Sequence, residues 1–352
     1  MQEFSAKSVV KKTDRRLENI VLAFLRLCCY TYRTFKQPRG FERQSNLIAK
    51  DFALTRAFAF LDKKNFPQIG VEWNGVRYNF SRAWEIFKQI KLDRSAPDLP
   101  FLQLMVELDL FHVETFDEVF TTLKEYRPLD DLRLKQEIRM QAPISRPQKI
   151  LCIGRNYLEH AKELGNQPAA GEPVFFGKAV SSMIAAEEAV RIPRQYGRID
   201  HEVELALVIG KTASNIAAQY AADFIAGYTI LNDLTARELQ KKDAAAGLPW
   251  FRAKSFDTFC PIGPYLIPSE NVPNPQALNL QLTVNDQVRQ KGSTADMIFP
   301  VTELVSYLSR FCTLQPGDII ATGTPSGVGP IQPGNTMVAS IEGFGELVNP
   351  VV

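Results

Sequence analysis

The sequence predicts an α+β fold dominated by β structure, and three observations carry that expectation. The stretch IGVEWNGVRYNF (Ile69–Phe80) is two alternating runs around Asn74-Gly75, the strongest short signal for a two-residue hairpin turn. Leu205–Ile209 is a continuous apolar run rich in branched residues, as a strand covered on both faces is, and Phe224–Asn232 is a further β run. Helical spacing occurs between such runs, but not as a regular strand–helix repeat, so a doubly wound dinucleotide-binding fold does not fit.

Length and composition set outer limits. The 352 residues are 45% hydrophobic and 23% charged, ample for a proper core and enough for two domains or one large domain with an appendage. A formal net charge of +2 creates no global field to recruit nucleic acid or an anionic membrane. Five cysteines without a CxxC pair point to a reducing compartment. The best candidate for a membrane span, Ile20–Leu25, is stopped by Arg26, far short of the roughly 18–20 residues required. The expectation is a soluble, cytoplasmic protein with no nucleic-acid and no membrane partner.

Taken in order, the chain divides at about residues 50 and 148. The first 45 residues carry ten Lys/Arg against four Asp/Glu. Within them Thr13–Phe35 reads as a helix with a Thr or Asp start, hence 1–50 as a basic extension that docks or forms a tail. Residues 51–148 read as a small α+β domain. The hairpin is followed by a helix over Ser81–Ile90, with Ser81 as cap and Trp84, Phe87 and Ile90 on one face. A second helix is expected over Phe111–Leu123. His112 has apolar neighbours and reads as structural rather than as a ligand.

A Pro-punctuated linker from Ala142 leads into residues 149–352, which open with the strand Lys149–Ile153 and a turn at Gly154. Further strands are expected at Leu205–Ile209, Phe224–Asn232, Ala277–Val284, Asp318–Thr322 and Met337–Ile341. Helices are expected at about Leu158–Leu164, Ala217–Tyr220, Ala236–Lys242 and Val301–Phe311.

The chemistry gathers in this last region. In IDHEVELALVIGK, strand alternation puts Glu202 and Glu204 on one side, with His201 and Val203 on the other. Two carboxylates beside a buried face repel unless something positive lies between them. Asp233 sits just past another β run, and three carboxylates without Cys or paired His suit a hard cation such as Mg2+ or Mn2+. On residues alone, an E-x-E at a strand start is more often a solvated rim. His160 and Glu163, three apart on a short helix, can meet. A carboxylate-oriented imidazole there would make a water-activating base; otherwise the two are a surface pair.

Lys254 and Gln240, taken singly, read as surface residues. ATGTPSGVG (Ala321–Gly329) lacks the lysine of a phosphate loop and is not G-x-S-x-G, so Ser326 has no claim as a nucleophile. Cys152 and Cys260 have apolar neighbours that raise a thiol pKa, which argues against catalytic roles.

The motifs KILCIGRNYLEHAKELG, EPVFFGKAVSSMI, DHEVELALVIGK, GYTILNDLTARELQ, GLPWFRAKSFDTFCPIGPYL and the long C-terminal run to ATGTPSGVG resemble, in order, the fumarylacetoacetate hydrolase superfamily. The likeness covers about Lys149–Val352 and is nearest to its fumarylacetoacetate hydrolase domain-containing or 2-hydroxyhepta-2,4-diene-1,7-dioate isomerase-like group. Residues 51–148 are similar, more weakly, to the small N-terminal domain of longer bacterial-type members, whereas 1–50 have no counterpart.

The resemblance implies a C-terminal fold of mixed β-sheets forming a β-roll, and Mg2+ or Mn2+ held by Glu202, Glu204 and Asp233. It implies catalytic roles for His160, Glu163 and Lys254, substrate contacts from Gln240, Gly323 and Thr324, and a homodimer. The implied reaction is metal-dependent hydrolysis of a C–C bond in an acylpyruvate-like 2-oxo acid. Isomerisation, keto–enol tautomerisation or decarboxylation of 2-oxo/2-hydroxy-dienoate or oxaloacetate-like acids uses the same motifs, and a catalytically silent scaffold is the third possibility.

Overall fold

A computed structural model describes residues 54–93, 95–135, 138–163 and 171–352. The helix expected over Thr13–Phe35, with the rest of the basic extension 1–50, lies outside the described residues.

The frame is an 11-stranded mixed sheet. Its centre is three antiparallel strands, Cys260–Pro268, Ile225–Asn232 and Val203–Ile209, in which every residue is buried. Uninterrupted apolar sequence is what a strand covered on both faces requires. Alternate residues divide accordingly: Val203, Leu205, Leu207 and Ile209 enter one core, Ala206 and Val208 the other. Beyond Val203–Ile209 the sheet continues through Ile319–Ala321, Ile150–Gly154 and Val174–Lys178.

The hairpin forms as its turn residues dictate. Pro67–Trp73 pairs with Val76–Asn79, and Asn74 and Gly75 both take positive φ (50° and 74°), as a type I′ turn needs. The neighbouring strand Arg56–Leu61 pairs with Cys260–Pro268, Ala57 opposite Leu266, so the N-terminal strands extend the same sheet. A four-stranded sheet (Gln287–Ser293, Asn279–Val284, Thr336–Ile341, Gly345–Pro350) and a three-stranded one (Thr235–Ala236, Ile199–His201, Gly329–Ile331) complete the β structure.

Two local expectations need correction. Ser81 is not the cap of its helix, which spans Phe80–Lys91. Asn79 caps it by accepting from the Arg82 N–H at 2.9 Å, while Ser81 Oγ accepts from Ile69 N–H at 2.8 Å and ties helix to strand. The segment around Ala217–Tyr220 is a 3-10 helix over Ala218–Phe224, not an α-helix. The remaining helices fall near their expected places, at Val113–Tyr126, Leu158–Glu163, Arg237–Ala245 and Val301–Phe311. No helix among the described residues is long and apolar enough to cross a membrane.

His112 is structural, through charge rather than apolar contact. Its ring nitrogens lie 2.7 Å from Glu270 and 3.1 Å from Asp109, which ties the turn before Val113–Tyr126 to the short helix Ser269–Asn271. Burial works against a charged ring, but Glu270 and Asp109 outweigh it and raise the pKa above the ordinary 6.5. A raised folded-state pKa adds stability that is complete below about pH 6.5 and lost as pH rises through the folded value. Thermal melts of wild type and His112→Gln should therefore differ more at about pH 5.5 than at about pH 8.5; an equal gap at both would show that the clasp carries no charge.

Candidate metal centre

The pairing of the central strands assembles the site. Glu202 sits in the break between Ile199–His201 and Val203–Ile209, where its N–H donates to Asn232 Oδ1 and its carbonyl accepts from Asp233 N–H, both at 2.8 Å. Glu204 stands opposite Leu231 in the register. Residues some thirty apart in sequence thus converge, and one carboxylate oxygen each from Glu202, Glu204 and Asp233 lies within 4.8 Å of the other two. All three are buried, at 4%, 1% and 1% exposure.

Three cations balance this cluster unevenly. Lys254 Nζ lies 2.7 Å from Glu202 and 2.5 Å from Asp233. Arg237 pairs with Glu202, with Asp200 at 2.8 Å, and donates to Gln240 Oε1 at 2.6 Å. Lys178, itself fully buried, donates to the Lys254 carbonyl, and its Nζ is 2.8 Å from Asp233 Oδ1. That last approach is off the angle a hydrogen bond needs, so Asp233 Oδ1 keeps a buried lone pair unused.

Glu204 forms no ion pair with any described residue and accepts only from the Gly323 N–H, at 2.7 Å. Burial, with the charges of Asp233 and Glu202, pushes its pKa well above the carboxylate range. Burial also opposes the charge on Glu202, yet Lys254 and Arg237 hold that carboxyl well below its usual range. An oxygen-only donor set, an unused lone pair on Asp233 and a buried acid without a counter-charge fit a divalent cation such as Mg2+ or Mn2+.

The other expected residues surround this cluster. His160 is buried and lines the same pocket, with Nδ1 3.5 Å from Glu163 Oε2, the outer limit of a hydrogen bond. Glu163 also accepts from the Gly327 N–H at 3.1 Å, which links the pair to the ATGTPSGVG loop. Burial lowers the His160 pKa below the ordinary 6.5, against the opposing charges of Glu202 and Glu163. Gln240 lines the pocket with its oxygen taken by Arg237, leaving its NH2 donors for a ligand.

Thr324 also lines the pocket, but its hydroxyl donates to the Val203 carbonyl (2.8 Å) and accepts from Gln290 Nε2 (2.7 Å). Gly323 turns with φ 97°, and a Cβ there would come within 2.9 Å of Asn156 Cβ. Its N–H serves Glu204. Cys152 and Cys260 are buried, and burial raises both thiols, Cys260 to about 12, so neither is a nucleophile at neutral pH.

Sequence reasoning missed Arg237, Lys178 and Gln290. Arg237 had a signal, since it lies three before Gln240 at a helix start just after Asp233. Gln290, on a strand of the four-stranded sheet, accepts from His201 Nδ1 and Val203 N–H and donates to Thr324 and the Pro325 carbonyl. Nothing local to its sequence marks it.

Residues 149–352 match the family model described as fumarylacetoacetate (FAA) hydrolase C-terminal. The chain is 49% identical over 199 residues to a mitochondrial oxaloacetate tautomerase of Oryza sativa subsp. japonica, covering 56% of this chain and 87% of that one. Among solved structures it resembles a fumarylacetoacetate hydrolase from Exiguobacterium antarcticum (32% identity, TM-score 0.68), over 84% of this chain and 99% of the other. It also resembles a fumarylpyruvate hydrolase from Pseudomonas aeruginosa in complex with Mn2+ and pyruvate (39% identity, TM-score 0.56), over 58% and 90% of the respective chains.

The unpaired state of Glu204 leads to an asymmetric expectation. Glu204→Gln keeps the shape and removes a buried acid that has no counter-ion and must give up its proton to hold a cation. Mn2+ affinity measured by calorimetry should fall at least about 100-fold, while the metal-free melting temperature holds or rises. Undiminished Mn2+ binding would remove Glu204 from the ligand set.

Proposed function

This chain belongs to the fumarylacetoacetate hydrolase family, and we propose that within it the chain is a metal-dependent hydrolase that cleaves a C–C bond of an acylpyruvate-like 2-oxo acid. The observation that supports this most is the buried His160 on the pocket wall beside the carboxylate cluster, kept neutral and followed by Glu163. A neutral imidazole next to a bound electrophile is the group that water activation requires.

A divalent cation held by Glu202, Glu204 and Asp233 supplies Lewis-acid polarisation of the 2-oxo acid and fixes its orientation. His160 takes a proton from water as the oxygen attacks the distal carbonyl, and Glu163 steadies the imidazolium that forms. The C–C bond then breaks, its electron pair passing to the pyruvate fragment as an enolate and the acyl carbon leaving as a carboxylic acid. His160 returns the proton to the enolate carbon, so that water and substrate give one acid and one pyruvate. Lys254, whose charge persists despite burial because Asp233 and Glu202 face it, stabilises the developing negative charge. Gln240, held by Arg237, offers its amide donors to the substrate.

The identity to the rice oxaloacetate tautomerase favours a second reading, keto–enol tautomerisation of a 2-oxo diacid, in which His160 moves a carbon-bound proton instead of one from water. Acetylpyruvate and oxaloacetate distinguish the two when assayed with Mn2+ and after chelation. Metal-dependent release of pyruvate from acetylpyruvate supports the hydrolase; enol–keto conversion of oxaloacetate without cleavage of acetylpyruvate supports the tautomerase. Turnover of neither sinks both.

His160→Ala should lower kcat by on the order of 100-fold or more. Because burial lowers the His160 pKa, and protonation removes the base, the acid limb of kcat/KM should fall below about pH 6.5. An acid limb above that value would assign the base elsewhere.

A further inference from the structure

Four cations line the pocket: Arg155, Arg237, Lys241 and Lys254. Arg237 and Lys254 are committed to Asp200, Glu202 and Asp233. Arg155 and Lys241 form no ion pair with any described residue. Lys241 is exposed at the rim, whereas Arg155 is half-buried, and its Nε is fully buried without a hydrogen-bond partner. Nε is closed off from the pocket, but the terminal nitrogens, which make no hydrogen bond to any described residue, are not buried and stay free to meet an anion.

Arg155 is presented rigidly. Its guanidinium lies over the Trp250 ring, 5.6 Å from the centroid. Trp250 packs on Gly154, where a Cβ would come 2.7 Å from the indole, and meets Phe176 edge-on at 5.4 Å. The Arg155 backbone is left-handed (φ 59°), a conformation that favours glycine over any side chain. Asn156 locks the turn: its amide donates to the Phe299 and Thr322 carbonyls and accepts from Phe299 N–H, and its carbonyl accepts from Ile298 N–H. Backbone held in that sparsely populated region is enriched at ligand sites, and here it stands on the pocket wall.

A contact chain joins the two ends of the wall. Lys254 Nζ lies 5.1 Å from the Phe176 centroid, Phe176 meets Trp250, and Trp250 carries Arg155. Lys254 serves the carboxylate cluster; Arg155 ends the aromatic stretch with its fork uncommitted. A guanidinium stacked on one face keeps its N–H edge open for bidentate contact with a carboxylate.

We propose that Arg155 is a specificity-determining residue that reads a second carboxylate, at the far end of a dicarboxylic 2-oxo acid whose carbon chain lies along Phe176 and Trp250. This rests on the pocket being a 2-oxo acid site, as argued above, but not on which bond is broken there.

Binding separates the two ideas. 2-Oxoglutarate and 2-oxopentanoate differ only in a carboxylate against a methyl group at C5, and both can be titrated calorimetrically into the full-length protein with Mn2+. Wild type should prefer 2-oxoglutarate by about tenfold or more, Arg155→Gly should bring the ratio of dissociation constants close to one, and Arg155→Lys should restore part of it. Glycine suits the backbone at this position, so that variant is not expected to lose the fold, and a melt checks it. Equal affinities in wild type, or a preference that survives in Arg155→Gly, would overturn the proposal while leaving the 2-oxo acid site standing. Binding of neither ligand would overturn both.

Discussion

Three carboxylates buried within 4.8 Å of one another are the constraint around which this structure is arranged. Each would cost several kcal/mol to remove from water alone, and their mutual repulsion adds to that. The fold answers with geometry before charge. The register that sets Leu231 opposite Glu204 and Asn232 opposite Val203 brings the acids together, and the Glu202–Asn232 and Glu202–Asp233 backbone contacts fix them there. Charge is then supplied from outside those strands: Lys178 at the end of the strand Val174–Lys178, Arg237 at a helix start and Lys254 on a short helix. Asp233 faces both Lys178 and Lys254, and balance stops short at Glu204, which pairs with no described cation. A set optimised for the metal-free fold would have closed that gap, so the imbalance itself argues that the site serves a ligand.

The same asymmetry organises the periphery. Asp200 is satisfied twice, by Arg237 and by Arg198 at 2.5 Å, which stiffens the arginine that also holds Glu202 and Gln240. Gln290 ties the four-stranded sheet to the strand carrying Glu204 and to the Thr324 loop, and all its hydrogen-bonding capacity is spent on positioning. The loop in turn delivers the Gly323 N–H to Glu204 and the Gly327 N–H to Glu163. One segment therefore contacts both the carboxylate cluster and the carboxylate beside His160, which couples their positions.

What the sequence made legible follows from which forces act locally. Joining Asp233 to Glu202 and Glu204 as one cluster came from the family resemblance, whereas strand alternation and apolar runs located the central strands and put the two glutamates on one side, because those signals reside within a few residues. Asn74-Gly75 specified its turn for the same reason. Ser81 misled because Asn79 was the better-placed acceptor two residues earlier, while the Ser81 hydroxyl met a strand that no local pattern announces. Lys178 and Gln290 stayed hidden because their partners lie 55 and 34 or more residues away and are set by tertiary contact. Thr324 was found as a pocket residue through family resemblance, but its hydroxyl faces the Val203 carbonyl, a direction only the coordinates give.

Hydrolysis and tautomerisation share the early part of their path: a polarised 2-oxo acid, a neutral base, and a cation to bear enolate charge. Under either proposed reading Glu202, Glu204, Asp233, His160 and Lys254 would provide for that shared part, so they do not separate the two outcomes. The outcomes differ in whether His160 faces a water or a substrate C–H, which depends on how far along the pocket the chain of the acid extends. The wall residues Phe176, Trp250 and Arg155 line the pocket beyond the charged centre and, on the proposed reading, would set that placement. A chain anchored at both ends is held taut, with its reacting carbon fixed relative to His160; one anchored only at the centre can pivot and admit water differently. On the proposed reading, reaction choice would turn on the aromatic wall and Arg155, while the buried carboxylates would supply the common chemistry.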